Sequence, residues 1–210
     1  IGNSKTRDEV IRQEMRQMEG VWYDADRVAA SRERIDRTNY FAEVNVETPP
    51  VPGTIDQVDV NVNVVEKSTG NISIGAGYSS AEKVILSGSI SQSNIFGSGK
   101  FLSLQVNTGK LNRTLGINYT NPYFTVDGIS QGFDLYHRKL NPTSLGYAFE
   151  STSTGGGIRF GFPIDEKESL NFGLAIDQTT IDITPITLAT PPQYIRFQAE
   201  HGDSNITLPA

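Results

Sequence analysis

The sequence contains no cysteine among its 210 residues, which excludes disulfide scaffolds, thiolate metal sites and cysteine nucleophiles. Histidine is also scarce. The two histidines, His137 and His201, lack the spacing of metal ligands, so neither a metal nor another cofactor is expected. Acidic residues outnumber basic ones by 24 to 18, and the net charge of −6 excludes an overall basic nucleic-acid binder.

Long apolar runs and complete catalytic motifs are missing as well. The longest apolar runs have three residues, such as residues 84–86, whereas a transmembrane helix needs about 18. Residues 97–100 lack the first glycine and the Ser or Thr of a phosphate-binding loop. Asp134 and His137 are spaced to lie on opposite faces of a strand, which disfavours a catalytic pair. The sequence predicts neither a transmembrane helix nor an enzyme.

Glycine is unevenly distributed along the chain. Residues 1–69 contain 3 of the 20 glycines, and residues 70–210 contain the other 17. Charged residues are denser in the first part. We therefore predict a domain boundary near residue 69, with one domain over residues 1–69 and a second over residues 70–210.

The first part begins with a predicted amphipathic helix. Thr6 and Glu9 have the spacing of a capping box. Apolar residues follow at helical spacing from Ile11 onwards, and Gly20 is expected to end the helix. Because helical spacing explains them fully, three of these apolar residues are assigned to the domain core: Met15, Met18 and Trp22.

A second helix and two strands follow in the first part. Asp24 can cap this helix, and Val28 and Ile35 form its apolar stripe. Alternating valines predict strands over residues 44–46 and 58–64. Because a two-stranded sheet would be marginally stable alone, we expect another strand to precede this segment and the chain to be a piece of a longer protein.

The second part predicts antiparallel strands joined by short turns. Apolar residues alternate with small or polar ones, as over residues 72–78, 102–106 and 158–164. We count seven such strands and expect an eighth to begin near Tyr194. One apolar face fits both a β-sandwich and a membrane β-barrel. Strand spans of about 8 to 13 residues and aromatic residues near strand ends favour the barrel.

Longer motifs resemble a known family. Residues 2–20, which include TRDEVIRQEM and RQMEG, resemble the membrane-proximal POTRA domain of the BamA family, as do residues 51–53 and 56–60. Residues 121–128, NPYFTVDG, resemble the same family, and the similarity continues to about residue 177. The resemblance implies an α+β POTRA domain of βααββ order, with its first strand largely missing. About the first half of a 16-stranded antiparallel transmembrane β-barrel would follow.

The resemblance also implies a function in the outer membrane, with the POTRA portion in the periplasm. Family members promote folding and insertion of nascent outer-membrane proteins, without chemistry on a covalent bond. A lateral gate would offer an unpaired strand edge to the substrate, and two glycines in it would weaken pairing to the closing strand. By resemblance, the edge residues are Ile72, Ser73, Ile74, Gly75, Ala76 and Gly77.

Implied partners are outer-membrane lipid and the lipoproteins of the BAM complex, BamD especially. The BamD contact falls, by resemblance, on Arg16 and Glu19. An ordinary solvated position beside a helix end is the alternative for Glu19. For the whole protein, a two-partner-secretion-type transporter that exports one specific protein is the main alternative function, and a soluble all-β enzyme is a third.

Overall fold

The computed structural model describes residues 1–80, 82–165, 168–183 and 190–208. The chain forms two compact units. One comprises Ile1–Gly70 together with Gln92–Lys100, and the other comprises Asn71–Ser91 together with Phe101–Ala210. The predicted boundary near residue 69 assigns Gln92–Lys100 to the second domain, whereas this segment packs with the first unit.

The first unit has the predicted order of two helices and two strands. These are α1 (Asp8–Glu14), α2 (Ala25–Arg37), β1 (Phe41–Glu47) and β2 (Asn61–Glu66). The strands pair antiparallel, and the helices cover one face of the sheet with a core of Ile11, Ile35, Phe41, Val44 and Val64. Burying each of these side chains stabilises the unit by about 1.5–3 kcal/mol.

The start of the chain adds to this sheet. The amino group of Ile1 donates to the Val62 carbonyl at 2.6 Å, and the Val64 N–H donates to the Ile1 carbonyl at 2.9 Å. Ile1 therefore lies beside β2 as the end of a further strand would, which fits a βααββ domain.

The first helix is shorter than predicted. It ends at Glu14, because Met15 adopts an extended conformation with ψ of 135°. The Ser31 hydroxyl then accepts the Arg16 N–H at 2.7 Å and holds the chain outside the helix. Met15 still packs against the core. The core assignment is wrong for Met18 and Trp22, which are 61% and 89% exposed.

Of the two predicted helix caps, the structure contains one and lacks the other. The capping box is wrong, since Arg7 is the N-cap residue of α1 and makes no side-chain cap bond. Thr6 is instead buried and donates its N–H to Glu66. The Asp24 cap is confirmed, because its carboxylate accepts the N–H groups of Asp26 and Arg27 at the start of α2.

The second unit contains a sheet of eight strands, each hydrogen-bonded to its neighbour in the chain. Over the described residues, this is an up-and-down meander without crossovers. Its strands are β3 (Gly70–Ser79), β4 (Lys83–Gln92), β5 (Phe101–Thr108), β6 (Asn112–Asn121), β7 (Ser130–Leu140), β8 (Glu150–Pro163), β9 (Ser169–Asp182) and β10 (Ser204–Thr207).

The predicted strand near Tyr194 is wrong. A helix, α3 (Pro192–His201), lies there, and the eighth strand of the sheet begins at Ser204. The Tyr194 ring stacks on Phe149 with centroids 4.1 Å apart, and Ile181 lies in the same buried cluster. Tertiary contacts at the end of β9 thus stabilise a helix whose apolar residues alone do not distinguish it from a strand.

No helix among the described residues is long and apolar enough to cross a membrane.

Candidate functional site: an open strand edge

The eight-stranded sheet has one continuous apolar face. Its register places Leu104, Ile117 and Leu135 side by side on adjacent strands. Phe133, Ile158 and Leu174 form the next row along the strands. Most of these side chains are exposed. An apolar surface of this extent is typical of a face that contacts lipid or another apolar partner.

The opposite face is polar, and its groups satisfy one another. The Arg159 Nε donates to Asp134 Oδ2 at 2.8 Å, and the Asn118 amide donates to the same carboxylate. Glycines leave room for the arginine, since a Cβ at Gly173 would lie 3.3 Å from the Arg159 Cγ. Within the described ranges, no cluster of His, Asp or Glu could hold a metal ion.

Aromatic residues gather at the end of the sheet where β6 turns into β7 and β8 into β9. They form three ring pairs with centroids 5.9–6.4 Å apart. Such residues mark the membrane interface in outer-membrane barrels. The pairs are Tyr119 with Phe133, Phe124 with Phe160, and Phe162 with Phe172.

The six predicted gate residues lie in β3, which is an edge strand. One side of β3 is bonded to β4, and the other side has no strand partner in the described part of the chain. Ile74 is 85% exposed, and Ile72 and Tyr78 are also exposed. In a membrane, the unpaired N–H and C=O groups of such an edge require a strand partner.

The two glycines of this edge have different surroundings. A Cβ at Gly75 would lie 2.6 Å from the Ser87 hydroxyl, which donates to the Gly75 carbonyl at 3.4 Å. Gly75 therefore permits close approach of β4. A Cβ at Gly77 would contact nothing within 4 Å, so packing inside this sheet does not require a glycine there.

The predicted docking residues lie between α1 and α2. The Glu19 side chain is 84% exposed and pairs with Arg12 at 2.6 Å. Arg16 is half-buried, and its backbone N–H is bound by Ser31. Met18 and Trp22, which are close to Glu19 in the chain, also have exposed side chains. Residues 21–27 line a cleft of about 530 Å³. This loop exposes both charged and apolar groups.

A carboxylate clamp in the first unit has no sequence signal. Glu66, at the end of β2, accepts the Thr6 N–H at 2.6 Å, the Ser4 hydroxyl at 2.9 Å and the Lys5 N–H at 3.0 Å. Burial tends to raise the pKa of Glu66, but the hydrogen bonds from Thr6, Ser4 and Lys5 outweigh it and lower the pKa to about 2. The clamp holds the segment before α1 against the sheet.

Two family domains match the chain. The Omp85 superfamily domain matches residues 94–199, and the surface antigen variable number repeat, a POTRA domain, matches residues 1–67. The outer membrane protein assembly factor BamA of Neisseria meningitidis serogroup B is 35% identical over 98% of this chain. BamA of Nitratidesulfovibrio vulgaris is 36% identical over 84% of it. The chain spans only 26% and 22% of the lengths of these relatives.

Solved structures show the same architecture. BamA from Haemophilus ducreyi lacking POTRA domains 1–3 has a TM-score of 0.70 and 33% identity, covering 86% of this chain and 34% of that one. CdiB from Acinetobacter baumannii has a TM-score of 0.57 at 14% identity, covering 87% of this chain and 37% of that one, which shows a shared fold alone. The predicted fold, a POTRA domain followed by part of an antiparallel barrel, is confirmed.

These matches also agree with the two units of the structure. The POTRA match covers the helices and strands of the first unit, and the Omp85 match covers most of the eight-stranded sheet. They place the sheet in the outer membrane and the POTRA unit in the periplasm. Because the superfamily domain covers half of its length, the chain belongs to the Omp85 superfamily.

Proposed function

We propose that the protein containing this chain is a core component of outer-membrane protein assembly, which promotes folding and insertion of β-barrel proteins. The observation that carries the proposal is the 35% identity to BamA of Neisseria meningitidis over 98% of the chain. The similarity includes both the POTRA unit and the strands. The proposed activity needs no chemistry on a covalent bond.

The proposed mechanism is templating at the free edge of β3. Each unpaired backbone N–H or C=O group costs several kcal/mol in hydrocarbon, so both the gate edge and a nascent strand gain by pairing. An incoming strand can add to β3 by β-augmentation. The exposed side chains of Ile72 and Ile74 would then join the apolar surface that contacts lipid.

The strand that closes a barrel against the edge of β3 must pair with it weakly, so that a substrate strand can replace it. Gly75 and Gly77 contribute no side-chain packing across the edge, which lowers the stability of any pairing made there. A substrate strand rich in β-branched and aromatic residues supplies that packing from its own side. Exchange of the closing strand for a nascent strand is therefore favourable only while the substrate is unfolded.

Depletion of the natural full-length protein tests the assembly function. We expect folded porins to disappear from the outer membrane, because a general assembly factor serves many substrates. The measurement is the fraction of heat-modifiable, folded porin in isolated envelopes. Normal porins together with failed secretion of a single protein would contradict assembly and favour the transporter alternative.

We propose that the loop with Arg16 and Glu19 docks lipoproteins of the BAM complex, BamD especially. The ion pair of Glu19 with Arg12 is exposed and contributes at most about 1 kcal/mol, so a partner cation can replace Arg12 at little cost. The exposed Trp22 ring offers the kind of aromatic anchor that dominates many interfaces. Charge and apolar area are thus combined on one loop.

Charge reversal at Glu19 tests this docking. We expect Glu19→Lys to reduce co-purification of BamD with the full-length protein by about ten-fold or more, because a like charge then faces the partner cation. Glu33→Lys is the matched control, since Glu33 is also exposed and pairs with Arg37 at 2.5 Å on α2. Equal BamD recovery from the wild type and the Glu19 variant would remove the docking proposal.

A further inference from the structure

The turn between β4 and β5 has an unusual backbone. Asn94 and Phe96 adopt positive φ angles of 58° and 49°, and Gly97 and Gly99 both have φ of 70°. Left-handed conformations are costly for residues other than glycine, above all for a bulky side chain such as phenylalanine. A turn of this kind persists only where surrounding contacts hold it.

Those contacts come from the POTRA unit, to which the turn belongs. The Asn94 amide donates to the Thr6 hydroxyl at 2.8 Å, and both residues are buried. The Arg7 N–H donates to the Gly97 carbonyl at 2.9 Å, and the Tyr40 hydroxyl donates to the Gly99 carbonyl at 3.1 Å. Within the turn, the Gly99 N–H donates to Asn94 Oδ1 at 2.8 Å.

The turn also packs directly on the backbone before α1. A Cβ at Gly97 would lie 1.8 Å from the Lys5 carbonyl oxygen, so only glycine fits at this position. A Cβ at Gly99 would lie 3.2 Å from a methyl group of Val10. The backbone at Lys5 and the side chain of Val10 therefore fit closely against this turn.

The other end of the β3–β4 hairpin is bound in the same place. Thr69, which directly precedes β3, donates its hydroxyl to the Ser93 carbonyl at 2.6 Å and accepts the Ser93 N–H at 3.1 Å. The Gln92 amide donates to the Thr69 hydroxyl at 2.7 Å. Glu66 accepts the Thr6 N–H, and the Thr6 hydroxyl accepts from Asn94. Because Asn94 directly follows Ser93, these bonds and those of Thr69 hold both ends of the hairpin in the POTRA unit.

We infer that Gln92–Lys100 is a permanent anchor that fastens the base of the edge hairpin to the POTRA unit. The consequence for activity rests on the proposed function: the gate edge of β3 exchanges partners while its base stays fixed. The anchor holds both ends of the hairpin, Thr69 and Gln92, in the POTRA unit as each substrate arrives. Release of the turn is not a step of the cycle.

A disulfide between Val10→Cys and Gly99→Cys tests whether the anchor ever opens. The Cβ positions are 3.9 Å apart, within the range for a disulfide, and the segment has no native cysteine. We expect the bond to form almost completely in cells and to leave porin assembly within about two-fold of each single variant. Loss of porin assembly that a reductant restores overturns the inference, and the single Gly99→Cys variant measures the strain of a side chain at the φ of 70° of Gly99.

Removing the hydrogen bond from the Asn94 amide to the Thr6 hydroxyl tests the anchor by weakening it. Asn94→Ala should accelerate hydrogen exchange of residues 1–14 and 92–100 in the full-length protein about ten-fold or more and slow porin assembly. Ser98→Ala is the matched control, because its hydroxyl donates within the turn, to the Ile95 carbonyl at 2.6 Å. Unchanged exchange in both segments would overturn the anchor. Exchange and disulfide formation need no substrate, so they decide the anchor even if the assembly function fails.

Discussion

A photo-crosslinking residue at Ile74 is expected to capture nascent outer-membrane proteins at least about ten-fold more efficiently than the same residue at Ile117. Ile74 lies in the edge strand β3 and is 85% exposed. Ile117 is 37% exposed in β6, which is bonded to strands on both sides. A strand with two partners has no free backbone groups to offer a substrate, so the difference reports edge pairing rather than membrane proximity.

The measurement is the yield of crosslinked adduct during pulse-labelled synthesis of a porin, in cells that contain the full-length variant. Tyr78 provides a second edge position, since it is also exposed and lies next to the last residue of β3. Capture should cease once the porin is folded, because its own strands are then paired. Equal capture at Ile74 and Ile117 would reject templating at β3 while leaving the assembly function itself open to the depletion test.

Replacing Glu66 by glutamine is expected to destabilise the clamp before α1 by about 2 kcal/mol at neutral pH. The carboxylate accepts hydrogen bonds from Ser4, Lys5 and Thr6. Glutamine keeps one acceptor oxygen but points an NH₂ group towards these donors. Local opening should therefore speed hydrogen exchange of residues 1–14 about 30-fold, measured by mass spectrometry on the full-length protein in detergent.

The same clamp predicts a pH dependence with a definite sign. The pKa of Glu66 falls from its ordinary value of 4.5 to about 2, because hydrogen bonds to the charged carboxylate outweigh the effect of burial. The stabilisation is therefore complete above about pH 4.5 and is lost as the pH falls towards 2. Exchange in the wild type should approach that of Glu66→Gln over this range. A difference in hydrogen-exchange rate between the wild type and Glu66→Gln that is as large at pH 2.5 as at pH 7 would contradict the clamp.

The regular elements of this chain follow from local patterns. Asp24 and the stripe of Val28 and Ile35 predict α2 correctly, because a cap and a helical period are written in adjacent residues. Strict alternation likewise predicts most of the strands. It does not distinguish helix from strand near Tyr194, where a short apolar run fits either and contacts with Phe149 decide for the helix.

Local sequence patterns alone did not predict the candidate sites. The gate residues 72–77 and the docking residues Arg16 and Glu19 come from family resemblance, and their roles stay predictions. The structure adds that β3 is an edge strand and that Glu19 lies on an exposed loop. It also exposes Trp22, which helical spacing had assigned to the core.

By itself, the sequence determined the order of elements as far as β9, the alternation that makes one face of the sheet apolar, and the family. These depend on neighbours along the chain or on motifs that can be read directly. Only the tertiary structure decided where α1 ends, what Glu66 binds and which unit holds the β4–β5 turn. Thr6 and Asn94 are 88 residues apart in the chain, and no local period encodes a hydrogen bond between positions so far apart in the sequence.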